Sequence, residues 1–160
     1  MNGKDEAAVR AVVDAVVRQV TGTLTLEQAR RLSAQVRAEA QRRGVKAVVA
    51  VADRAGRPIL VECMDDAYIA SYDIAVNKAF TVTALKMSTA ALKPLAQPGG
   101  SLYGIQFTNN GKLVIFGGGE PLKAGDTIVG GLGVSGGSEA EDTALAAYGK
   151  QIFETSGGIR

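Results

Sequence analysis

Gly133, Ser135 and Gly137 spell G-x-S-x-G, the spacing that sets a nucleophilic serine on a turn between a strand and a helix. The same stretch, IVGGLGVSGGSEAED, places Gly131, Gly133 and Gly136 in G-x-G-x-x-G, the spacing of a dinucleotide-binding turn. Neither chemistry is completed. A serine nucleophile needs a base; the 160 residues contain no histidine, and although a Ser-Lys dyad is formally open to the several lysines, nothing places one near Ser135. The dinucleotide fold needs a further strand with an acidic residue about 20 positions on, and here only one helix and a tail follow. What survives is physical. Backbone N–H groups at a glycine-rich helix start favour a carboxylate or phosphate, while Glu139, Glu141 and Asp142 in that first turn serve the helix dipole themselves and repel an added anion. The competing use of the glycines is close packing of strand on helix. A second cluster, VIFGGGEPL at 114–122, poses the same question: a cradle for a ligand, or only a turn.

The absence of histidine removes Ser-His-Asp and Cys-His catalysis, His-ligated zinc and His-ligated haem. Cys63 is the single cysteine, so an intrachain disulfide is impossible and a reducing cytosol fits best. Eighteen basic against 16 acidic residues make no nucleic-acid footprint, and 5% aromatics make base-stacking platforms unexpected. No apolar run approaches the roughly 18 residues of a membrane span, and the N-terminus lacks the uninterrupted apolar stretch of a secretory signal.

The elements that position these residues follow from periodicity. In 5–20, Val9, Val12, Val13, Val16, Val17 and Val20 form one helical stripe. A 16-residue valine-rich helix is marginal alone and needs a partner surface. TGTLT at 21–25 breaks the pattern. Thr25 with Gln28 is a capping box opening a helix with Leu26, Ala29, Leu32, Val36 and Ala40 as its core stripe, ended by Gly44. VKAVVAVAD and PILVECM, joined by RAGR, predict a hairpin over 45–64. A helix is predicted over 69–87 with Ile69, Tyr72, Ala75, Val76, Ala79, Phe80 and Thr83 facing inward. Ser88 caps a short helix to Leu95. A short strand is possible near 105–108, LVIFG at 113–117 and DTIVGGLGVS at 126–135 read as strands, and Ser138 with Glu141 caps a last helix to Phe153. IVGGLGVS is apolar or glycine throughout, so both faces of its sheet should be covered, which points to self-association. Short connections between neighbouring strands make the sheet antiparallel and the fold α+β.

Taken together, SYDIAVNKAFTVTAL, QPGGSLYGI and GKLVIFGGGEPLKAGDTIVGGLGVSGGSEAEDTALA resemble the GlcG/HbpS-like family, which includes the C-terminal domain of PduO proteins. The resemblance runs from about Leu24 to Ile152, and the wording LYGI…NNGKLVIFGGG is closer to the PduO side. It implies a profilin-like antiparallel sheet flanked by helices, homo-oligomers up to octamers, and binding or degradation of haem in some members. The PduO domain stands beside a corrinoid adenosyltransferase in diol-degrading microcompartments. By the resemblance, Gly117, Gly118 and Gly119 lie close to a pocket, and Lys78 of VNKAF meets an anionic group there; Gln97 and Tyr103 complete the expected ligand-binding set. The alternative for Lys78 is a surface lysine. Lacking histidine, an axial haem ligand must be a Tyr, Met, Cys, Lys or hydroxyl, with Tyr103, Met64, Met87 and Cys63 as candidates, or haem sits in an apolar slot held by Lys and Arg on its propionates.

The N-terminal helix EAAVRAVVDAVVRQV, with its small-residue linker, resembles the encapsulation peptides that carry cargo into bacterial microcompartments. The alternative is a helix that packs on its own domain or dimer. The expected organisation is a targeting helix at 1–20, a linker at 21–25, the family domain at 26–154 and a tail at 155–160. The expected role is an accessory haem- or cobalamin-binding protein in a cobalamin-dependent diol or amino-alcohol pathway, cytoplasmic and inside a microcompartment, with a shell protein as partner. An enzyme acting on a small metabolite or flavin-like cofactor, and a structural adaptor, are the rivals.

Overall fold

The computed structural model of the chain describes residues 3–22 and 24–158, with α1 side chains at 5–13 and 16. The elements are α1 (Gly3–Thr21), α2 (Leu26–Arg42), β1 (Val48–Asp53), β2 (Pro58–Cys63), α3 (Ile69–Leu85), α4 (Thr89–Leu95), β3 (Gly119–Ala124), β4 (Thr127–Ser135) and α5 (Glu139–Thr155). All strand pairs are antiparallel, in the order β2-β1-β4-β3. The fold is α+β, as the short strand connections predict.

Alternation along β1 builds the two layers. Val49 and Val51 point to one face, where Leu32 and Val36 of α2 and Leu145 and Phe153 of α5 close the main core. Val48, Ala50 and Ala52 point to the other, against Ala75 and Ala79 of α3. Small side chains on that second face let α3 lie close to the sheet. At Gly133 a β-carbon would overlap the Ala75 carbonyl oxygen, so this strand position admits nothing larger than glycine. β4 is therefore covered on both faces, but by α2, α5 and α3 of the same chain. The apolar character of IVGGLGVS is accounted for within one copy and is no argument for self-association.

Both capping boxes form. The Thr25 hydroxyl accepts from the Gln28 N–H at 3.1 Å, and the Gln28 side chain accepts from the Thr25 N–H at 2.9 Å. Ser138 and Glu141 repeat the arrangement at α5. Three expectations are corrected. The strand expected at 113–117 lies later, at Gly119–Ala124, because the Val114 N–H is taken by the Thr81 hydroxyl at 3.0 Å and the apolar run packs as irregular chain. The possible strand near 105–108 is a 3₁₀ turn, Ile105–Phe107. The inner face of α3 is rotated: Ala75, Ala79 and Thr83 are buried as expected, with Ser71, Lys78 and Val82 beside them, while Ile69 and Tyr72 are exposed. Lys78 lies on the buried face because its ammonium is paired there with Asp142 and the Val134 carbonyl.

Candidate functional site

The chemistry of the molecule gathers where α3, the 117–119 turn and the start of α5 meet. Lys78 has a fully enclosed side chain, at 0% exposure. It is not the surface lysine of the alternative reading. Its ammonium donates to the Val134 carbonyl at 2.8 Å and to the Asp142 carboxylate at 2.9 Å, and stands 5.0 Å from the centroid of the Phe116 ring. The anionic group that Lys78 meets within the chain is thus Asp142. Burial pushes the Lys78 ammonium below the ordinary lysine value, and the attraction of Asp142 opposes that shift. The other Asp142 oxygen accepts the Gly137 N–H at 2.9 Å.

The Gly117–Gly119 turn lies directly over this pair. Gly118 has φ of +113°, and a β-carbon there would fall 2.5 Å from Lys78 Nζ, so conformation and space both demand glycine. The Gly118 carbonyl accepts from the Val134 N–H at 2.8 Å. Gly117 donates to Glu139 at 3.0 Å, and Gly119 donates to the Thr89 hydroxyl at 2.9 Å. Glu139 also accepts from Lys93 at 2.6 Å. The Gly117 N–H, followed by Lys93, holds its carboxyl below the usual glutamate range. The turn is latched from α4 and α5, and the side of each glycine where a β-carbon would sit is filled by protein. Phe116, next to the turn, is 37% exposed.

The other glycine-rich turn is occupied in the same manner. Gly137 N–H goes to Asp142 and Ser138 N–H to Glu141 at 2.8 Å, so the helix start satisfies its donors with its own carboxylates. Ser135 is buried and hydrogen-bonded to Ser71 at 3.2 Å, a buried hydroxyl pair and no nucleophile elbow. A cleft of about 510 Å³ beside this turn is lined by Lys46, Asp66, Tyr68 and Glu141 among others, and lies apart from Lys78.

Of the remaining residues singled out in the sequence, Tyr103 is 63% exposed and Gln97 is exposed with its amide donating to the Lys93 carbonyl. Cys63 is exposed at the end of β2, and the Met64 sulfur accepts from the Ala47 N–H at 3.4 Å. Val9, Val12, Val13 and Val16 are between 51% and 63% exposed, while the side chains of Val17 and Val20 lie outside the described ones. Asp142, Thr89 and Phe116 were not expected at the site. Asp142 carried a faint signal, an acid one position beyond a capping box; Thr89 and Phe116 carried none. Among the described residues, no cluster of metal-ligating side chains and no helix long and apolar enough to cross a membrane occurs.

A family model described as haem degrading protein HbpS-like matches residues 24–151. The chain belongs to this HbpS-like family. It is 41% identical over 135 residues to a 15.0 kDa protein of the dhaT-dhaS intergenic region of Citrobacter freundii, covering 84% of this chain and 95% of that one. It is 33% identical over 141 residues to the corrinoid adenosyltransferase PduO of the same organism, covering 88% of this chain and 42% of PduO. The chain therefore spans less than half of that relative's length. Among solved structures, a PduOC:heme complex superposes with a TM-score of 0.78 at 35% identity, over 81% of this HbpS-like chain and 94% of that one.

Proposed function

We propose that the chain is an accessory tetrapyrrole-binding protein, taking haem or a corrinoid, in a cobalamin-dependent pathway. The observation that carries this reading is the match to the PduOC:heme complex across 94% of that chain. With no histidine, the exposed Tyr103 hydroxyl is the oxygen ligand this reading favours, because Phe107 and Phe116 supply exposed apolar rings in the same stretch of chain; the Cys63 thiol is exposed at the end of β2, and the Met64 sulfur is engaged by Ala47. When bound, haem supplies redox and oxygen chemistry; this chain supplies the apolar surface, the Tyr103 oxygen and a rigid Gly117–Gly119 turn backed by Lys78, with Gln97 at the α4 end. Titration with haemin and with a cobalamin, followed by absorbance, tests the reading. A saturable spectral change with either supports it, and its loss in Tyr103→Phe assigns the ligand. Unchanged spectra with both overturn it in favour of an enzyme of small metabolites or an adaptor.

The exposed valine stripe supports a second element of the same reading. Residues 1–20 act as a detachable targeting helix that docks on a microcompartment shell protein, with 21–25 as linker and the family domain from 26 to 154. A helix-in-groove partner covers such a stripe without rearranging the domain. The same reading includes self-association, which the family resemblance implies. A fluorescent protein fused to 1–20 entering shells, and failing to enter with Val13→Asp and Val16→Asp, is the expected outcome; unaltered entry of the doubly charged form overturns it.

A further inference from the structure

The two edges of the sheet are guarded very differently. β3 contains Pro121, which has no N–H to offer, and an exposed Lys123, and its Glu120 is tied to Lys150 of α5 at 3.3 Å. β2 at the other edge presents Ile59, Leu60 and Val61 in succession. Its one charge, Glu62, is turned to Arg37 and Ser33 of α2. Its proline, Pro58, stands at the first position and leaves the rest of the strand open. Proteins blunt exposed edges with proline, lysine or covering elements, because a bare edge is a template for another strand. The Met64 N–H donates to the Ala47 carbonyl at 3.0 Å. By antiparallel alternation, Glu62 and Leu60 also bond toward β1, and the N–H groups of Val61 and Cys63 point away from the sheet.

An apolar strip adjoins this edge. Val61 and Val76 pack against the same cluster on the α3 side of the sheet. Ile69 and Tyr72 share the helix face of Val76 at i, i+3 and i+7, and are 97% and 49% exposed. An isoleucine so fully exposed contributes nothing to the core of its own chain.

We infer that the β2 edge is where a second copy of this chain pairs, β2 against β2, antiparallel about a two-fold axis. The inference rests on the self-association proposed above and names its surface. Two-fold pairing uses the same edge of both copies and needs no second complementary patch, whereas head-to-tail addition would have to use β3 and meets Pro121. The strand ends are also self-complementary in charge. β2 follows Arg57, which is exposed and also pairs with Asp53, and precedes Asp65 and Asp66, both exposed, the latter paired with Lys46. Antiparallel pairing lays the basic end of one strand beside the acidic end of the other. With Val61 on the axis, Arg57 of one copy stands opposite Asp65 of its partner copy, and the outward Val61 N–H groups bond across the axis. Ile69 and Tyr72 flank the joint and lose their exposure.

Sedimentation of the full chain at micromolar concentration, combined with amide hydrogen exchange, tests this. The wild type is expected to sediment as a dimer or larger, with slow exchange at Val61 and Cys63 that becomes fast on dilution. Ile69→Asp with Tyr72→Asp is expected to lower the mass while the variant keeps a cooperative unfolding transition, and Asp65→Lys to raise the dissociation constant several-fold. A monomeric wild type overturns self-association and this surface together. An assembled wild type with fast exchange at Val61 and Cys63, or a folded double variant of unchanged mass, overturns the β2 edge alone. Should the double variant misfold, exchange in the wild type decides.

Discussion

Helices α1 and α5 begin alike in sequence, each with acidic residues in its first turn and an apolar stripe behind them, and they end in opposite situations. In α5, Glu139 holds Gly117 and Lys93, Asp142 holds Lys78 and Gly137, and Leu145, Ala146 and Phe153 are buried in the main core. In α1, the valines at 9, 12, 13 and 16 remain at least half exposed. A stripe states that a face requires cover. It does not state who supplies it, and the answer lies in residues far away in the chain.

Substitutions sharpen this contrast, beginning with Asp142→Ala. It leaves the Lys78 charge enclosed and unpaired, which costs about 3–5 kcal/mol for a broken buried pair, and chemical denaturation should show the loss. Leu145→Ala should cost about 2–5 kcal/mol through the cavity it leaves. Ser138→Ala removes the α5 cap and should cost about 1 kcal/mol, a fall in melting temperature of about 2–4 °C for a chain of this size. The smallest effect in α5 is expected from Glu139→Gln, read as a pH profile. Because the folded carboxyl titrates below its unfolded value, its contribution is present above the ordinary glutamate range and lost as pH falls through the depressed one. The variant should flatten that acid limb, and added salt should shrink the difference, since this pair is partly exposed. The corresponding change in α1, Val12→Ala, should move stability by less than about 0.5 kcal/mol. A drop of several degrees there would mean that α1 is core and would end the contrast.

Much of the scaffold was legible because its signals are local. Thr25 with Gln28 and Ser138 with Glu141 each mark a helix start within four positions, and the hairpin follows from two β-branched runs around RAGR. β3 was not legible. GEPLKA carries a glycine and a proline, both poor strand formers, and forms a strand because an edge position tolerates a missing N–H. LVIF looked like a strand and is not one, since Thr81 takes its backbone donor. The inward face of α3 was misjudged because an apolar stripe ranks Ile69 above Lys78. The centre of the candidate site was the least legible part. Lys78 and Asp142 lie 64 positions apart, and nothing in either segment announces the other.

The enclosure of Lys78 also makes it a natural clock. An amine-selective acylating reagent reaches exposed lysines such as Lys86, Lys93 and Lys123 directly, but Nζ of Lys78 is walled in by Asp142, the Val134 carbonyl, Phe116 and Gly118. Its labelling requires this enclosure to open, at the Phe116 ring or between α5 and the 117–119 turn. The acylation rate at that single nitrogen, resolved by peptide mass spectrometry, therefore reports how often this enclosure opens, and any ligand that binds over Phe116 should slow it.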